Sequence, residues 1–359
     1  MVRLAPLLFV VACARPQPLP GTRAWPEAEA AFRSDPRWLG ADANLSVPLS
    51  ADRTLWLFGD TFVAKTAKNV RSESELVRNS VAVQTGLDVP TAAFTFHWRT
   101  DQVPSPASFF EERDDRWHWP GHGVRLPGGP LLVWLFVLKP TPGEGLGFAD
   151  DGWRLVVVSN PDADPSVWQL TWFDGPRAPF DAVPASAVVL DGDYAVGLAI
   201  KQQGTHAGYL VRWRTADLVA GRLDGWEWWD GASWLTLAAL GGRAPRAIID
   251  DAGAESSLHF DAAKSRWVHV ASYGFGASTI GVRTASALTG PWSVSTFVYE
   301  PPESRGANPF VYAAKAHPEL TADGLVVTYA TNSFELKDLF TAEGAEQLYW
   351  PRFVIVELP

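Results

Sequence analysis

Short apolar runs that alternate with polar residues recur along most of the chain, and Gly, Pro, Asp and Asn interrupt them at close intervals. This pattern is typical of short antiparallel strands joined by tight turns. Helical spacing is confined to residues 24–35 and 333–347. A short strand, a polar turn and a more apolar strand follow one another in five segments: 45–58, 122–139, 185–201, 255–273 and 316–332.

The spacing of these five segments predicts a repeating architecture. Their second strands follow one another at intervals of about 65 residues, which exceeds a minimal four-stranded propeller blade but leaves room for loops. We therefore predict an all-β fold, a single five-bladed β-propeller over residues 22–359. A pair of two-sheet sandwiches is the alternative, and neither architecture divides the chain into two domains.

The N-terminus has the pattern of an export signal. Arg3 precedes the apolar stretch LAPLLFVVA, which is too short to span a bilayer and suits the core of a signal peptide. Cys13 follows in the sequence VVAC, which resembles a bacterial lipobox, and it is the only cysteine of the chain. We predict that residues 1–21 are a lipoprotein signal peptide and tether, with Cys13 lipidated. The protein would then be exported and anchored to the cell envelope, at the outer membrane or the periplasmic face. A buried cysteine in a cytoplasmic protein is the alternative.

Composition narrows the class of ligand. The chain has 18 Trp, and large rings near Gly, Pro and Asp suit the flat apolar faces of sugars, although tryptophans also fill the space between sheets. The net charge of −10, without a basic stripe, argues against nucleic acid and against anionic polymers. We expect a monomer that binds a polysaccharide or oligosaccharide and touches a membrane only through its lipid anchor. We predict no cofactor and no metal, because the sequence offers neither a zinc helix nor a complete calcium loop.

Two aspartates flank the first strand pair. Asp42 precedes the strand that starts near Leu45, and Asp60 follows the strand that ends at Phe58. Antiparallel pairing would bring these two ends together at one mouth of a propeller channel. Two carboxylates that face one bond are the minimum needed for glycoside hydrolysis, one as acid and the other as nucleophile or base. The alternative is that both aspartates only brace turns.

Further polar and aromatic residues are candidates for the same channel. In the sequence pattern, Glu255, His122 and His317 each stand directly before a short inner strand. Glu255 could act as an acid or orient a hydroxyl group, and the two histidines could contact a ligand. The remaining predicted substrate-binding residues are Trp117 and Trp119 as a rim for sugar rings, and Arg78 and Asn79 as hydrogen-bonding groups.

The chain also resembles a known family. LGADANLSVPLSADRTLWLFGDTFV, VRNSVAV, WHWPGHG, AESSLHF and YAAKAHPELTADGLVVTYATNSF together resemble a bacterial family of unknown function. That family forms five-bladed propellers related to arabinanases and furanosidases and includes endo-D-arabinanases. The resemblance implies a cell-envelope glycoside hydrolase that cleaves furanoside (arabinan-like) or related glycans. It implies catalytic roles for Asp42 and Asp60, and it matches Glu255 to a further acid, whereas His122 stands where relatives often have an acidic residue.

A non-catalytic surface propeller that binds glycan or protein is the main alternative function. Its acids would only donate or accept hydrogen bonds, and their replacement would weaken binding without abolishing turnover. The geometry of the two carboxylates distinguishes the hypotheses. Carboxylates that converge and remain open favour an enzyme, and carboxylates tied into backbone turns favour the alternative.

Overall fold

The computed structural model describes residues 19–358 with the exception of 102–104, 144–146, 178–179, 202–203, 254, 307 and 342–344. Cys13 and nearly all of the predicted signal peptide and tether therefore lie outside the described residues. The described fold is all-β, as predicted, and its helices are few and short. None of the helices in this part of the chain has the length and hydropathy needed to cross a lipid bilayer.

Strands account for most of the regular structure. Those in the described part of the chain are β1 (Arg23–Ala24), β2 (Trp38–Ala41), β3 (Leu45–Pro48), β4 (Arg53–Phe58), β5 (Thr61–Ala64), β6 (Ser74–Val77), β7 (Ser80–Thr85), β8 (Ala93–His97), β9 (Trp117–Arg125), β10 (Leu131–Pro140), β11 (Phe148–Val158), β12 (Leu170–Asp174), β13 (Ala182–Asp191), β14 (Tyr194–Lys201), β15 (Gly208–Arg214), β16 (Glu227–Trp229), β17 (Trp234–Leu235), β18 (Ala247–Ile249), β19 (Ser256–Asp261), β20 (Arg266–Phe275), β21 (Ala277–Ala285), β22 (Thr296–Tyr299), β23 (Pro309–Ala316), β24 (Leu325–Ser333) and β25 (Arg352–Val356).

The helices are peripheral connections. The α-helices are α1 (Pro26–Ala31), α2 (Thr215–Val219), α3 (Leu237–Leu240) and α4 (Asp338–Thr341), and single 3₁₀ turns lie at Arg71–Glu73, Val89–Thr91, Pro165–Val167, Leu223–Gly225, Pro302–Arg305 and Ala345–Gln347. Pro26 suits the first helical position of α1, and the carboxylates of Glu27 and Glu29 complement the positive end of the helix dipole. The two predicted helical segments thus contain helices, but shorter ones than the pattern indicated.

Among the residues that the structure describes, antiparallel strands form five main sheets, each built largely from consecutive segments of the chain. Sheet 1 is β3-β4-β7-β8, sheet 2 is β9-β10-β11-β12, and sheet 4 is β19-β20-β21-β22. Sheet 3 runs from β13 to β17, with β18 paired to β15. Sheet 5 is β23-β24-β25-β1, so the N-terminal strand completes the sheet of the last strands. A smaller sheet, β2-β5-β6, continues from the first hairpin.

The apolar core is divided among the spaces between these sheets. Each of five clusters joins two neighbouring sheets, and the last cluster joins sheet 5 to sheet 1. Full burial of a leucine or phenylalanine of this kind contributes about 2 kcal/mol relative to exposure. One pair represents each cluster: Leu57 and Val133 between sheets 1 and 2, Trp134 and Trp213 between sheets 2 and 3, Leu198 and Leu258 between sheets 3 and 4, Val270 and Val327 between sheets 4 and 5, and Trp56 and Phe353 between sheets 1 and 5.

The first strands of the five sheets also follow one another. β3 packs against β9, β9 against β13, β13 against β19, and β19 against β23. Hydrogen bonds join β23 back to the segment around β3: the Lys315 ammonium donates to the carbonyl of Ala43 at 2.9 Å, and His317 Nδ1 lies 2.5 Å from Ser46 Oγ. The end of β23 therefore lies against the segment that leads into β3.

Two of the first strands begin earlier than the sequence predicts. β9 starts at Trp117, so His122 lies inside the strand rather than before it, because Pro120 and Gly121 form an irregularity within β9 and not a turn. β23 ends at Ala316, so His317 follows its strand instead of preceding it. A register shift between Tyr312 and Lys315 breaks the alternation of apolar and polar residues in β23, so the sequence pattern does not predict this strand.

Candidate active site

Asp42 and Asp60 lie side by side where the chain passes from sheet 1 to the small sheet. The predicted hairpin is present, with Leu45 opposite Leu57, and it continues into the pairing of Ala41 with Thr61. The amide of Asp42 donates to the carbonyl of Asp60 at 3.3 Å, and the amide of Gly59 donates to the carbonyl of Asp42 at 3.1 Å.

The close approach depends on Gly59. A Cβ atom at this position would lie 2.4 Å from Oδ1 of Asp42. The next two residues after Asp42 are also constrained, because Ala43 and Asn44 have φ of 69° and 51°, in the left-handed region. Such backbone is uncommon for residues other than glycine and concentrates at functional sites.

Two tyrosine hydroxyls hold the side chain of Asp42. Oδ2 of Asp42 accepts from Tyr312 at 2.5 Å and from Tyr349 at 3.2 Å. Burial, and the negative charges of Asp60 and Glu255, raise the pKa of Asp42 from 3.8 to about 8, and the two hydroxyls oppose this rise. Asp42 therefore carries a proton at neutral pH.

Asp60 faces a cation. Its Oδ2 accepts from Nη1 of Arg78 at 3.1 Å, and its Oδ1 accepts from Nε1 of Trp119 at 2.8 Å. The pKa of Asp60 is raised overall, because burial and the charge of Glu112 raise it more than Arg78 and Trp119 lower it. The side chain remains 14% exposed. Because Asp60 has the guanidinium and Asp42 has only neutral donors, the negative charge of the pair resides on Asp60 and the proton on Asp42.

Glu255 enters the site directly before β19, as the sequence predicts. Its Oε1 accepts from the Lys315 ammonium at 2.9 Å, and the side chain is 31% exposed. Lys315 is buried on β23, and its second bond, to the carbonyl of Ala43, ties it to the strained segment after Asp42. Glu255 and Lys315 thus form an ion pair next to the two aspartates.

Aromatic side chains lie against Asp60. Trp117, Trp119 and Phe148 pack edge to face, with centroids 4.7 Å apart for Trp119 and Phe148 and 6.4 Å apart for the two tryptophans. The guanidinium of Arg78 lies over the Trp117 ring at 4.6 Å. Arg78, Trp117 and Trp119 are therefore brought together with Asp60, in the group where the sequence predicts them.

Three predicted substrate-binding residues, His122, Asn79 and His317, do not belong to the group around Asp60. His122 lies in the middle of β9, and burial lowers its pKa to about 4, so its ring is neutral. Asn79 is fully buried, and its amide bonds to backbone groups of Phe110 and His118. His317 is buried with both ring nitrogens occupied by hydroxyls, those of the serine and threonine at positions 46 and 328. We leave Asn79 and His317 out of the proposed site because their hydrogen-bonding groups serve the fold.

Four functional candidates escaped the sequence analysis. Tyr312 and Lys315 reach the site from β23, and Tyr349 reaches it from the loop between β24 and β25, about 270 residues or more along the chain from Asp42. Glu112 is exposed, and its charge acts on Asp60. The only available signal was the family-like stretch YAAKAHPEL, which contains two of these residues, Tyr312 and Lys315.

The arrangement provides one protonated and one ionised carboxyl group beside each other, partly open to solvent. Such a pair can donate a proton and at the same time supply a nucleophile or base. Both carboxyl groups accept bonds from side chains rather than from the amides of a turn. The described residues contain no group of three or more His, Cys, Asp or Glu side chains that could hold a metal ion.

Comparison with known proteins identifies relatives of nearly the whole chain. The profile of a family described as a domain of unknown function, DUF5005, matches residues 28–357. No curated protein matches the sequence. A solved structure, that of a candidate hydrolase from Bacteroides ovatus, superposes with a TM-score of 0.71 at 16% identity, covering 93% of this chain and 90% of its own.

Two further solved structures are less similar to this chain than the Bacteroides ovatus protein is. A protein of unknown function from Dyadobacter fermentans has a TM-score of 0.52 at 9% identity, with coverage of 94% of this chain and 100% of its own. The catalytic domain of a GH62 α-L-arabinofuranosidase from Coprinopsis cinerea has a TM-score of 0.47 at 10% identity, with coverage of 90% and 92%. At these identities a likeness shows the fold alone, which the chain shares with the Bacteroides ovatus protein over nearly its whole length.

Proposed function

The chain belongs to the DUF5005 family, and we propose that this member is a glycoside hydrolase whose catalytic pair is Asp42 and Asp60. The observation that carries the proposal is the pair itself: two adjacent, partly buried carboxyl groups whose surroundings give the proton to one and the charge to the other. Environments that separate two carboxyl groups in this way define an acid and a base.

The roles follow from the partners of each carboxyl group. Asp42, protonated at neutral pH, donates its proton to the oxygen of the glycosidic bond as that bond breaks. Asp60, ionised beside Arg78, attacks the anomeric carbon or takes a proton from the water that attacks it. If Asp60 attacks, the ionised Asp42 then takes a proton from the water that displaces Asp60 from the sugar, and this restores its proton. If Asp60 activates water instead, the proton that it takes returns to Asp42 by exchange with solvent. The anomeric configuration of the first product distinguishes direct attack, which retains it, from water activation, which inverts it.

The proposed substrate is a neutral glycan, with furanosides of the arabinan type first. The net charge of −10 and three carboxyl groups at the site disfavour an anionic polymer. The half-buried Trp119 supplies a ring next to Asp60, which suits sugars, whereas Trp117 is buried behind it under the guanidinium of Arg78. The sequence resemblance to a family that includes arabinan-cleaving members supports the furanoside.

We also propose that the five sheets are the blades of a five-bladed β-propeller. Two observations support this arrangement: the cyclic order of the apolar clusters, which ends between sheets 5 and 1, and the succession of first strands from β3 to β23. The site then lies at one mouth of the channel, where the first and last sheets meet.

Hydrolysis assays test the proposed function. The full chain is incubated with arabinan, galactan, fructan and mycobacterial arabinogalactan, in parallel with Asp42→Asn and Asp60→Asn. Asp323→Asn, at a side chain that is 95% exposed, serves as the matched control. Products from wild type and the control that are absent with both site variants would support the proposal. Binding of wild type to a glycan without products would refute the catalytic pair and favour a glycan-binding propeller.

Export and lipid anchoring are a separate proposal, supported only by the sequence around Cys13. Expression of the wild type and of Cys13→Ser in a bacterial host, followed by separation of membrane and soluble fractions, tests it. We expect the wild type in the membrane fraction and the variant outside it. An equal distribution of the two proteins would contradict the lipid anchor.

A further inference from the structure

A group of phenylalanines with exposed members extends outward from Asp42, whereas Trp119 lies against Asp60. It consists of Phe275, at the end of β20, Phe310, on β23, and Phe334, directly after β24, and we call it the aromatic shelf. Phe275 is 78% exposed and Phe334 is 46% exposed. Exposed aromatic side chains that cluster in this way mark binding sites more often than isolated ones do.

The rings of the shelf stack on one another. Phe310 and Phe334 have centroids 4.7 Å apart at an interplanar angle of 15°. Phe275 packs on both, at 6.2 Å from Phe310 and 5.3 Å from Phe334. Phe310 is thus the inner ring of this group, and the other two rings are open to solvent.

Tyr312 connects the shelf to the catalytic acid. Its ring stacks on Phe310 at 4.5 Å and 20°, since the two residues are two positions apart on β23 and share a face of the strand. The hydroxyl group of the same tyrosine donates to Asp42 at 2.5 Å. One continuous column of rings therefore leads from the carboxyl group that holds the proton to the exposed Phe275.

Polar groups border the column. Asn332 lies opposite Phe310 in the pairing of β23 with β24, and the exposed side chain of Asn308 donates to Asp338 at 3.3 Å. Sugars combine an apolar ring face with hydroxyl groups at the edge, and a site that binds them combines aromatic faces with amides and carboxylates. Asn308 bonds to Asp338 but remains exposed, so this polar pair can also accept and donate bonds to the hydroxyl groups of a sugar.

We propose that the aromatic shelf is a second sugar-binding site, which holds the part of the glycan that extends past Asp42. This inference rests on the proposed function, because it names the position of the chain beyond the cleaved bond. The glycan would cross the acid pair with sugar rings against Trp119 next to Asp60 and against Phe275 and Phe334 beyond Asp42. Long substrates would then use both groups of rings, and the shortest ones would use only the rings nearest the acids.

The test compares the dependence of kcat/KM on chain length. Phe275→Ala combined with Phe334→Ala is measured against wild type on polymeric arabinan and on arabinobiose. The matched control is Phe260→Ala, at a ring that is 48% exposed and lies near the far end of β19 from Glu255. We expect the double variant to lose about tenfold in kcat/KM on arabinan and less than about twofold on arabinobiose, and the control to lose neither.

The outcomes separate this inference from the proposed function. If wild type cleaves arabinan and the double variant keeps the same ratio of polymer to disaccharide activity, the shelf is overturned while the proposed function stands. If wild type cleaves no glycan, affinity electrophoresis in arabinan decides. Retardation that the double variant loses supports the shelf, and equal or absent retardation overturns it. Self-association of the wild type that disappears in the double variant would also overturn it, since a second copy would then be the occupant.

Discussion

Replacing Asp42 by asparagine tests the electrostatics of the site most directly. In the folded protein Asp42 has a pKa of about 8, against an ordinary value of 3.8. The folded chain therefore binds a proton that the unfolded chain lacks between these two pH values. Such a group contributes stability that is complete below pH 3.8 and is lost progressively as the pH rises towards 8. Asparagine is neutral without a proton and has no such dependence.

The magnitude follows from this linkage. One bound proton changes the free energy of unfolding by about 1.4 kcal/mol for each pH unit. Between about pH 5.5 and about pH 7.5 the stability of Asp42→Asn should therefore rise relative to wild type by about 3 kcal/mol. The asparagine oxygen still accepts from Tyr312, so the variant keeps the bond at 2.5 Å that fixes the tyrosine. We expect Asp42→Asn to be inactive and, at the higher pH, more stable relative to wild type, as is common for replacements at catalytic positions.

Urea unfolding at the two pH values, monitored by tryptophan fluorescence, measures the effect. Other groups also titrate in this range, and those that do not interact with Asp42 cancel in the difference between variant and wild type. Asp323→Asn, at a nearly fully exposed carboxylate, is the control and should show no change of this difference with pH. If the difference between Asp42→Asn and wild type is the same at both pH values, Asp42 does not hold the proton and the assignment of acid and base fails.

Two further variants test the surroundings of the pair. Arg78→Met removes the cation that lowers the pKa of Asp60, so the acid side of the pH–activity profile should move to higher pH; an unchanged profile would show that Arg78 does not tune Asp60. Gly40→Ala places a Cβ 2.1 Å from the carbonyl oxygen of Tyr349 at a φ of +112°, and should lower the free energy of unfolding by about 3 kcal/mol or more. Gly128→Ala, at a φ of +62° with open space around it, is the control for backbone strain alone, and equal losses would refute the clash.

The sequence predicted those parts of the fold that depend on contacts between residues close together in the chain. The hairpin with Leu45 opposite Leu57 could be recognised from its alternation and its turn, and so could the convergence of the two aspartates at its ends. The all-β class and membership in a family of unknown function are likewise confirmed. The five-bladed arrangement and the relation to arabinanases stay predictions.

The parts of the site that the sequence did not predict depend mainly on contacts between segments that are far apart in the chain. No spacing in the sequence indicates that Tyr349 would reach Asp42, because the loop between β24 and β25 carries it there. The position of His317 was wrong for a local reason, since the register shift in β23 disguised the strand that precedes it. The irregularity at Pro120 and Gly121 had a similar effect in β9, because it interrupts the alternation of the strand that contains His122.

The junction of the first and last sheets decides at which stage of synthesis the pKa of Asp42 is raised. Asp42 and Asp60 emerge early in synthesis, whereas the hydroxyls and the ammonium group that surround them belong to Tyr312, Lys315 and Tyr349. Until those residues arrive, the two aspartates are ordinary acids that lose their protons near pH 3.8. In a growing chain Asp42 therefore has the pKa of an exposed carboxyl group, and burial raises this pKa only when the C-terminal strands have packed against the N-terminal sheet.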